Sequence, residues 1–380
     1  MMSRRERLMA TLQGQPVDRP AVNFYEIGGF DVDPSDPDEF NVYNSPDWQP
    51  LLKMAEEQTD LIRMRSPILK PSPENCRDEF FTVEQYVENG SRFTRTTLRI
   101  SGREMTKLVR RSPDTDTDWT LEPLLKDLDD IKAYLELPDE VFSYEPDVSN
   151  LIEADREVGD RGIVMVDTPD PLCEVAQLFD MGDYTVFAVT EQDLFHRLLE
   201  KHARHLYERT EKVARAFPGH LWRIFGPEYA TEPYLPPNLF EQYVVRYTGE
   251  MVKIIQKYGG YARIHCHGRL RAVLPMIAAM GADGLDPIEP PPQGDVELID
   301  VRREYGKDMV LFGNIEISDI ETMEPPQFER LLIKTLQEGT AGEGRGFVLM
   351  PTACPMGRKI SARTIANYEM MIQVVNRFCG

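Results

Sequence analysis

The chain has 380 residues, of which 41% are hydrophobic, and a formal net charge of −21 at pH 7. So acidic a surface repels phosphate backbones and anionic lipids, which argues against nucleic acid and membranes as partners. The N-terminal MMSRRERLMATLQG lacks a signal-peptide core, no stretch is long enough for a membrane span, and the five cysteines are scattered. These features predict a cytoplasmic protein in a reducing compartment, without a disulfide framework.

Ser3 and Glu6 have the spacing of a capping box, and an amphipathic helix to Leu12 follows, stopped by Gly14. The apolar run 21–25 reads as a first strand and 61–65 as a second, separated by a loop rich in Asp, Pro and Asn over 30–50. Residues 79–111 alternate β-branched, aromatic and polar side chains around Asn89-Gly90, which predicts an antiparallel meander inserted after the second strand. Residues 112–160 are acidic with short helix-like pieces, so the insertion spans about 70–160. From 161 a strand-then-helix rhythm sets in. Strands are predicted at 162–167, 221–226, 261–265, 282–286, 309–314 and 346–350. Helices are predicted near 173–181 and over 193–216, 239–255, 274–281, 295–306, 328–336 and 364–378. Eight such units predict an α/β fold, a (β/α)8 TIM barrel forming a single domain over 1–380; a doubly wound open sheet is the alternative.

Barrels of this kind place reactive groups just past the strand ends. That rule selects Tyr25 and Glu26, Asp167, Glu228 and Glu232, the HCHG motif, Asp286 and Glu289, Asn314 and Glu316, and Cys354, in strand order. Side chains alternate along a strand, so His265 and His267 face one way and Cys266 the other. Two imidazoles so spaced can chelate a metal, and zinc takes His nitrogen, Cys sulfur and carboxylate oxygen. Cys354 and Glu228 can converge on the same mouth. The spacing equally suits two hydrogen-bonding histidines without metal, and Cys354 alone also reads as a small buried residue. Glu289, set among prolines, and Asn314, after Gly313, read as ligand-orienting groups or as plain loop residues. Cys173 and Cys379 read as structural. His196, His202 and His205 read as one exposed or partly buried helix face rather than a metal site.

The segments RERLMATLQGQPVDRPAV, HCHG, GADGLDPIEPPPQGDVELIDVRREYGKDMVLFGNI and GFVLMPTACPMG resemble the uroporphyrinogen decarboxylase superfamily. The likeness covers the N-terminus and the last half of the chain, and it implies a (β/α)8 barrel. One branch of that superfamily decarboxylates uroporphyrinogen without a cofactor and carries R-Q-A-G-R after the first strand. Here that place reads NFYEIGGF, with no arginine, and Glu26 would repel a polycarboxylate. The other branch comprises corrinoid-dependent methyltransferases, with a zinc-binding H-x-C after strand five and a Cys after strand eight. His265 matches the His, His267 replaces the first Cys, and Cys354 matches the second; Glu228 is added as a carboxylate ligand. Imidazole in place of thiolate makes the metal a stronger Lewis acid, which suits a methyl ether donor.

The resemblance thus implies a zinc-dependent methyltransferase moving a methyl group from a small methylated donor, such as a methoxylated one, to a corrinoid. A separate corrinoid protein would be the partner, since no D-x-H-x-x-G motif is present. Glu26 or Asp167 would supply a proton, and Tyr25, Glu289 and Asn314 would orient the substrate. Related barrels are often dimers, so a homodimer is one expectation by analogy, with the oligomeric state left open by the sequence. Two alternatives stand beside this: a cofactor-free decarboxylase whose anionic substrate is held by Arg63, Arg65 or Arg269, and a non-catalytic barrel that binds a tetrapyrrole or corrinoid.

Overall fold

Strands apolar on both faces need cover on both, and this fold supplies it. The computed structural model describes residues 2–378; Cys379 lies outside them. Its centre is an eight-stranded parallel sheet of β1 (Ala21–Val22), β2 (Leu61–Arg65), β3 (Gly162–Pro169), β4 (Leu221–Phe225), β5 (Tyr261–Cys266), β6 (Gly284–Pro287), β7 (Val310–Ile315) and β8 (Phe347–Pro351). Successive strands pair in parallel from β2 to β8, and β8 returns to β1. The last seam is closed by Asp60. Its N–H donates to the Val22 carbonyl at 2.8 Å and its carboxylate accepts from Val22 N at 2.9 Å. The same buried carboxylate takes Arg7 at 2.5 Å and Arg19 at 2.9 Å, so its charge is matched where water is excluded.

The barrel interior is filled by Tyr25, Ile62, Met64, Met165, Phe312, Val348 and Met350, a core separate from the larger one beneath the helices. Helices Gln192–Ala216, Arg246–Lys257, Pro325–Gly339 and Ala362–Arg377 form part of the outer cover, each burying an apolar stripe. Ser3 caps the first helix, Arg4–Leu12, with the reciprocal Glu6 bond its spacing predicts. No helix of the described residues is long and apolar enough to cross a membrane.

Between β2 and β3 comes the insertion. Its antiparallel sheet runs Phe81–Glu88, Ser91–Ile100, Arg103–Arg111 and Asp118–Glu122. The first hairpin turns on Asn89 and Gly90, both at positive φ, as an Asn-Gly turn requires. The meander extends past its predicted end at 111, because the acidic stretch beyond it pairs as a fourth strand. Helix Gln49–Gln58 is absent from the sequence reading; it starts inside the expected loop, with Pro50 in its first turn. β1 is shorter than the run 21–25. At Tyr25 the chain turns to a φ of 56°, and the ring is buried in the barrel interior.

Candidate active site at the barrel mouth

The floor of the mouth is ionic. Register sets His265 on β5 beside Asp286 on β6, with Arg263 two residues earlier on the same face. Asp286 accepts from Arg263 Nε at 2.5 Å and pairs with His265 Nδ1 at 2.8 Å. All three are buried. Burial alone would raise the Asp286 carboxyl, but Arg263 and His265 more than offset it and hold it well below the usual range. Burial, then the charge of Arg223, pulls His265 down to about 3, so the ring is neutral. Its Nδ1 carries the proton that Asp286 accepts, which leaves a lone pair on Nε2. Tyr25 OH also lies 3.3 Å from Nδ1.

The rim repeats this arrangement. His267 Nδ1 is 2.7 Å from Glu289 Oε1, and Glu289 Oε2 accepts from Gly268 N at 2.7 Å. The two imidazole rings lie 4.6 Å apart at 87°. Burial lowers the His267 pKa, but the Glu289 bond and charge, with Glu228 behind them, leave it raised. Glu228 accepts from Gly226 N at 2.8 Å and is raised by burial, with His267 and Arg223 partly compensating. Asn314 donates to the Ile288 carbonyl at 3.0 Å, so it braces the loop that carries Glu289.

Cys354 stands with a different set. Its N–H reaches Glu26 Oε2 at 3.3 Å, and its buried thiol is pushed up by burial and by Glu26. Asp167 pairs with Arg223 at 3.0 Å. Of the arginines offered for an anionic substrate, Arg63 is committed to Glu56 at 2.5 Å and Arg65 to Asp31 at 3.1 Å. Sequence reasoning passed over three residues. Arg223 and Arg263 sit in mid-strand on the inward face, a pattern visible in LWRIF and YARIH as a charge inside an apolar strand. Glu316 was on the strand-end list, yet Asn314 was preferred. It is buried, one carboxylate oxygen has no hydrogen-bond partner, and burial with the charge of Glu289 raises it to about 7.

The reading of His202 and His205 as a plain helix face needs correction. Both pack inward from Gln192–Ala216 onto Glu174 of the helix Pro171–Ala176, while His196 bonds separately to Tyr247. Glu174 Oε2 meets His202 Nδ1 at 2.7 Å and His205 Nε2 at 2.9 Å. Among the described residues this is the set of three whose ligand atoms all lie within 4.8 Å of one another, a His/His/Glu group that could hold a metal ion. His265, His267, Cys354 and Glu228 are not drawn that close together. The cysteines Cys76, Cys173, Cys266 and Cys354 are all free thiols.

The sequence profile described as uroporphyrinogen decarboxylase (URO-D) matches residues 120–378, beginning near the end of the meander. No curated protein matches the chain. Among solved structures, a methyltransferase from Methanosarcina mazei superposes with a TM-score of 0.61 at 13% identity, covering 99% of both chains. The IOLI protein with a zinc atom aligns over 60% of this chain and 94% of its own, at 12% identity and a TM-score of 0.34. D-Psicose 3-epimerase aligns over 65% and 85%, at 10% identity and 0.33. At these identities the first likeness speaks for the fold, and the other two carry no further argument.

Proposed function

Because this chain belongs to the uroporphyrinogen decarboxylase family, we propose that its mouth performs zinc-dependent methyl transfer from a small methylated donor, such as a methoxylated one, to a corrinoid on a separate protein. The observation that carries this reading is the pair of anchored histidines. Asp286 and Glu289 each fix an Nδ1, and neither Nε2 makes a hydrogen bond among the described residues. Carboxylates that orient a ring through its far nitrogen are the usual second layer behind a metal-ligating imidazole.

The donor types suit a divalent cation, which would draw them closer together than they stand here. Glu228 is a half-buried carboxylate raised by desolvation, and Glu316 keeps a buried oxygen unpartnered. His265, His267 and Glu228 would hold zinc, and Cys354, which here stands beside Glu26, would join as the fourth donor on leaving that neighbour and ionising. When bound, the metal supplies Lewis-acid polarisation of the donor oxygen.

The chain's own residues do the rest. Glu316, held near neutrality, is matched to give a proton to the leaving oxygen as the methyl group departs. Glu26, beside Cys354, is the second proton source. Asp167 is taken up by Arg223 and steadies that guanidinium under the Tyr25 ring, 5.5 Å from its centre. Glu289 and Asn314 hold the rim loop, and Tyr25 closes the floor.

The test is methyl transfer from a methoxyphenol to cob(I)alamin, followed by absorbance, with zinc-loaded and chelated protein. Transfer that needs zinc and disappears in His267→Ala is expected. An equal rate after chelation would overturn the reading. A second reading, metal-free decarboxylation, has one observation in its favour: Arg223 Nε is buried without a partner and could receive a substrate carboxylate.

A further inference from the structure

Outside the barrel mouth, a cavity of about 290 Å³ lies between the insertion and the outer helices. We propose that it binds an organic anion, a carboxylate with an aromatic or otherwise apolar body.

The charge balance of its wall points there. Lys107, from strand Arg103–Arg111, and Arg77, at the start of the short helix Arg77–Phe80, come from the insertion; Arg209 and His205 come from Gln192–Ala216. Glu174 is the single acid on this wall. Its charge is already answered by the two imidazoles and by Arg209, 3.8 Å away. Neither Arg77 nor Lys107 pairs with a carboxylate among the described residues. Lys107 donates to the Gln177 carbonyl at 3.1 Å, and the Arg77 guanidinium lies 4.1 Å over the Phe81 ring. Both therefore line the cavity without an acidic partner of their own. Burial already works against the charged form of Lys107, and an anion in the cavity would relieve that cost.

The remaining wall sets the body of the ligand. Phe142 stacks on His205 with ring centres 5.0 Å apart, and Tyr134 and Leu69 add apolar surface. His205 Nδ1 is buried with no partner, a further polar contact for the ligand. A bare inorganic anion would leave the aromatic surface uncovered. A divalent cation at Glu174, His202 and His205 would instead stand beside Arg209 and near Lys107, an arrangement Coulomb repulsion disfavours. The cavity shares no lining residue with the mouth, so its ligand would not compete with the substrate of the proposed reaction, and the insertion acquires a role as half of a binding site.

The experiment is calorimetric titration of the whole chain with benzoate, inorganic phosphate and zinc as separate probes. Benzoate should bind at one site with a Kd below about 1 mM. Lys107→Gln and Arg77→Gln, both partly exposed positions, should each weaken it roughly tenfold. His267→Ala should leave it unchanged. The proposal is overturned by any of four results: no benzoate binding, binding indifferent to both cation variants, binding lost in His267→Ala, or phosphate bound as tightly as benzoate. Zinc uptake that vanishes in His202→Ala overturns it as well, in favour of a metal at this cluster.

Discussion

His267 and Glu289 are joined by a 2.7 Å bond from Nδ1 to Oε1, and the other Glu289 oxygen is pinned by Gly268 N. Two hydrogen bonds in series therefore aim the free Nε2. Replacing Glu289 by Gln loosens that aim without removing a ligand. We expect zinc affinity to fall roughly 10- to 100-fold while the melting temperature stays near wild type. Unchanged affinity, by competition with a chelating dye, would separate Glu289 from the ligand shell.

Glu316 ties stability to pH. The folded chain holds its proton up to about 7, through burial and then the charge of Glu289. The unfolded chain releases it near the ordinary glutamate value of about 4.3. An acid raised in the folded state contributes full stability below its unfolded pKa and loses it as pH climbs to the folded one. Metal-free protein should lose about 3–4 kcal/mol from this source between about pH 4.5 and 8. Glu316→Gln should flatten that part of the slope in urea unfolding; an unaltered slope contradicts the assignment.

Arg263 and Asp286 form a buried pair whose side chains are 1% and 0% exposed. Removing the acid strands the guanidinium in the barrel core. We expect Asp286→Ala to cost about 3–5 kcal/mol in urea unfolding. A loss below about 1 kcal/mol would show that Arg263 finds water or another partner.

Asp60 gives the matching test at the seam. Asp60→Ala strips Arg7, Arg19 and Val22 N of their acceptor and should cost a similar amount, about 3–5 kcal/mol. Because it sits away from the histidines, zinc content of the folded fraction should not change. Zinc lost together with stability would mean that the seam also shapes the mouth.

The barrel was legible because its strands are short, apolar and separated by helical periods; strands β2 to β8 fall within two residues of their predicted positions at each end. The Asn89-Gly90 turn announced the meander for the same reason, a local conformational demand that few residues meet. What was hidden depends on long-range pairing. Asp60 sits 38 residues from the strand it closes. Glu174 lies 28 and 31 residues from its histidines, so the periodicity of that helix gave the face but not the partner. The strand-end rule found His265, His267, Glu289 and Glu316 together, yet could not rank Glu316 above Asn314, because burial of one side chain depends on the whole rim. It also missed Arg223 and Arg263, which lie inside the barrel rather than at its edge.

The measurement that bears most directly on the account is zinc content by mass spectrometry on wild type, His267→Ala and His205→Ala. The account expects one zinc per chain, lost in His267→Ala and kept in His205→Ala. Zinc kept in His267→Ala and lost in His205→Ala would place the metal on the outer helices and remove it from the mouth.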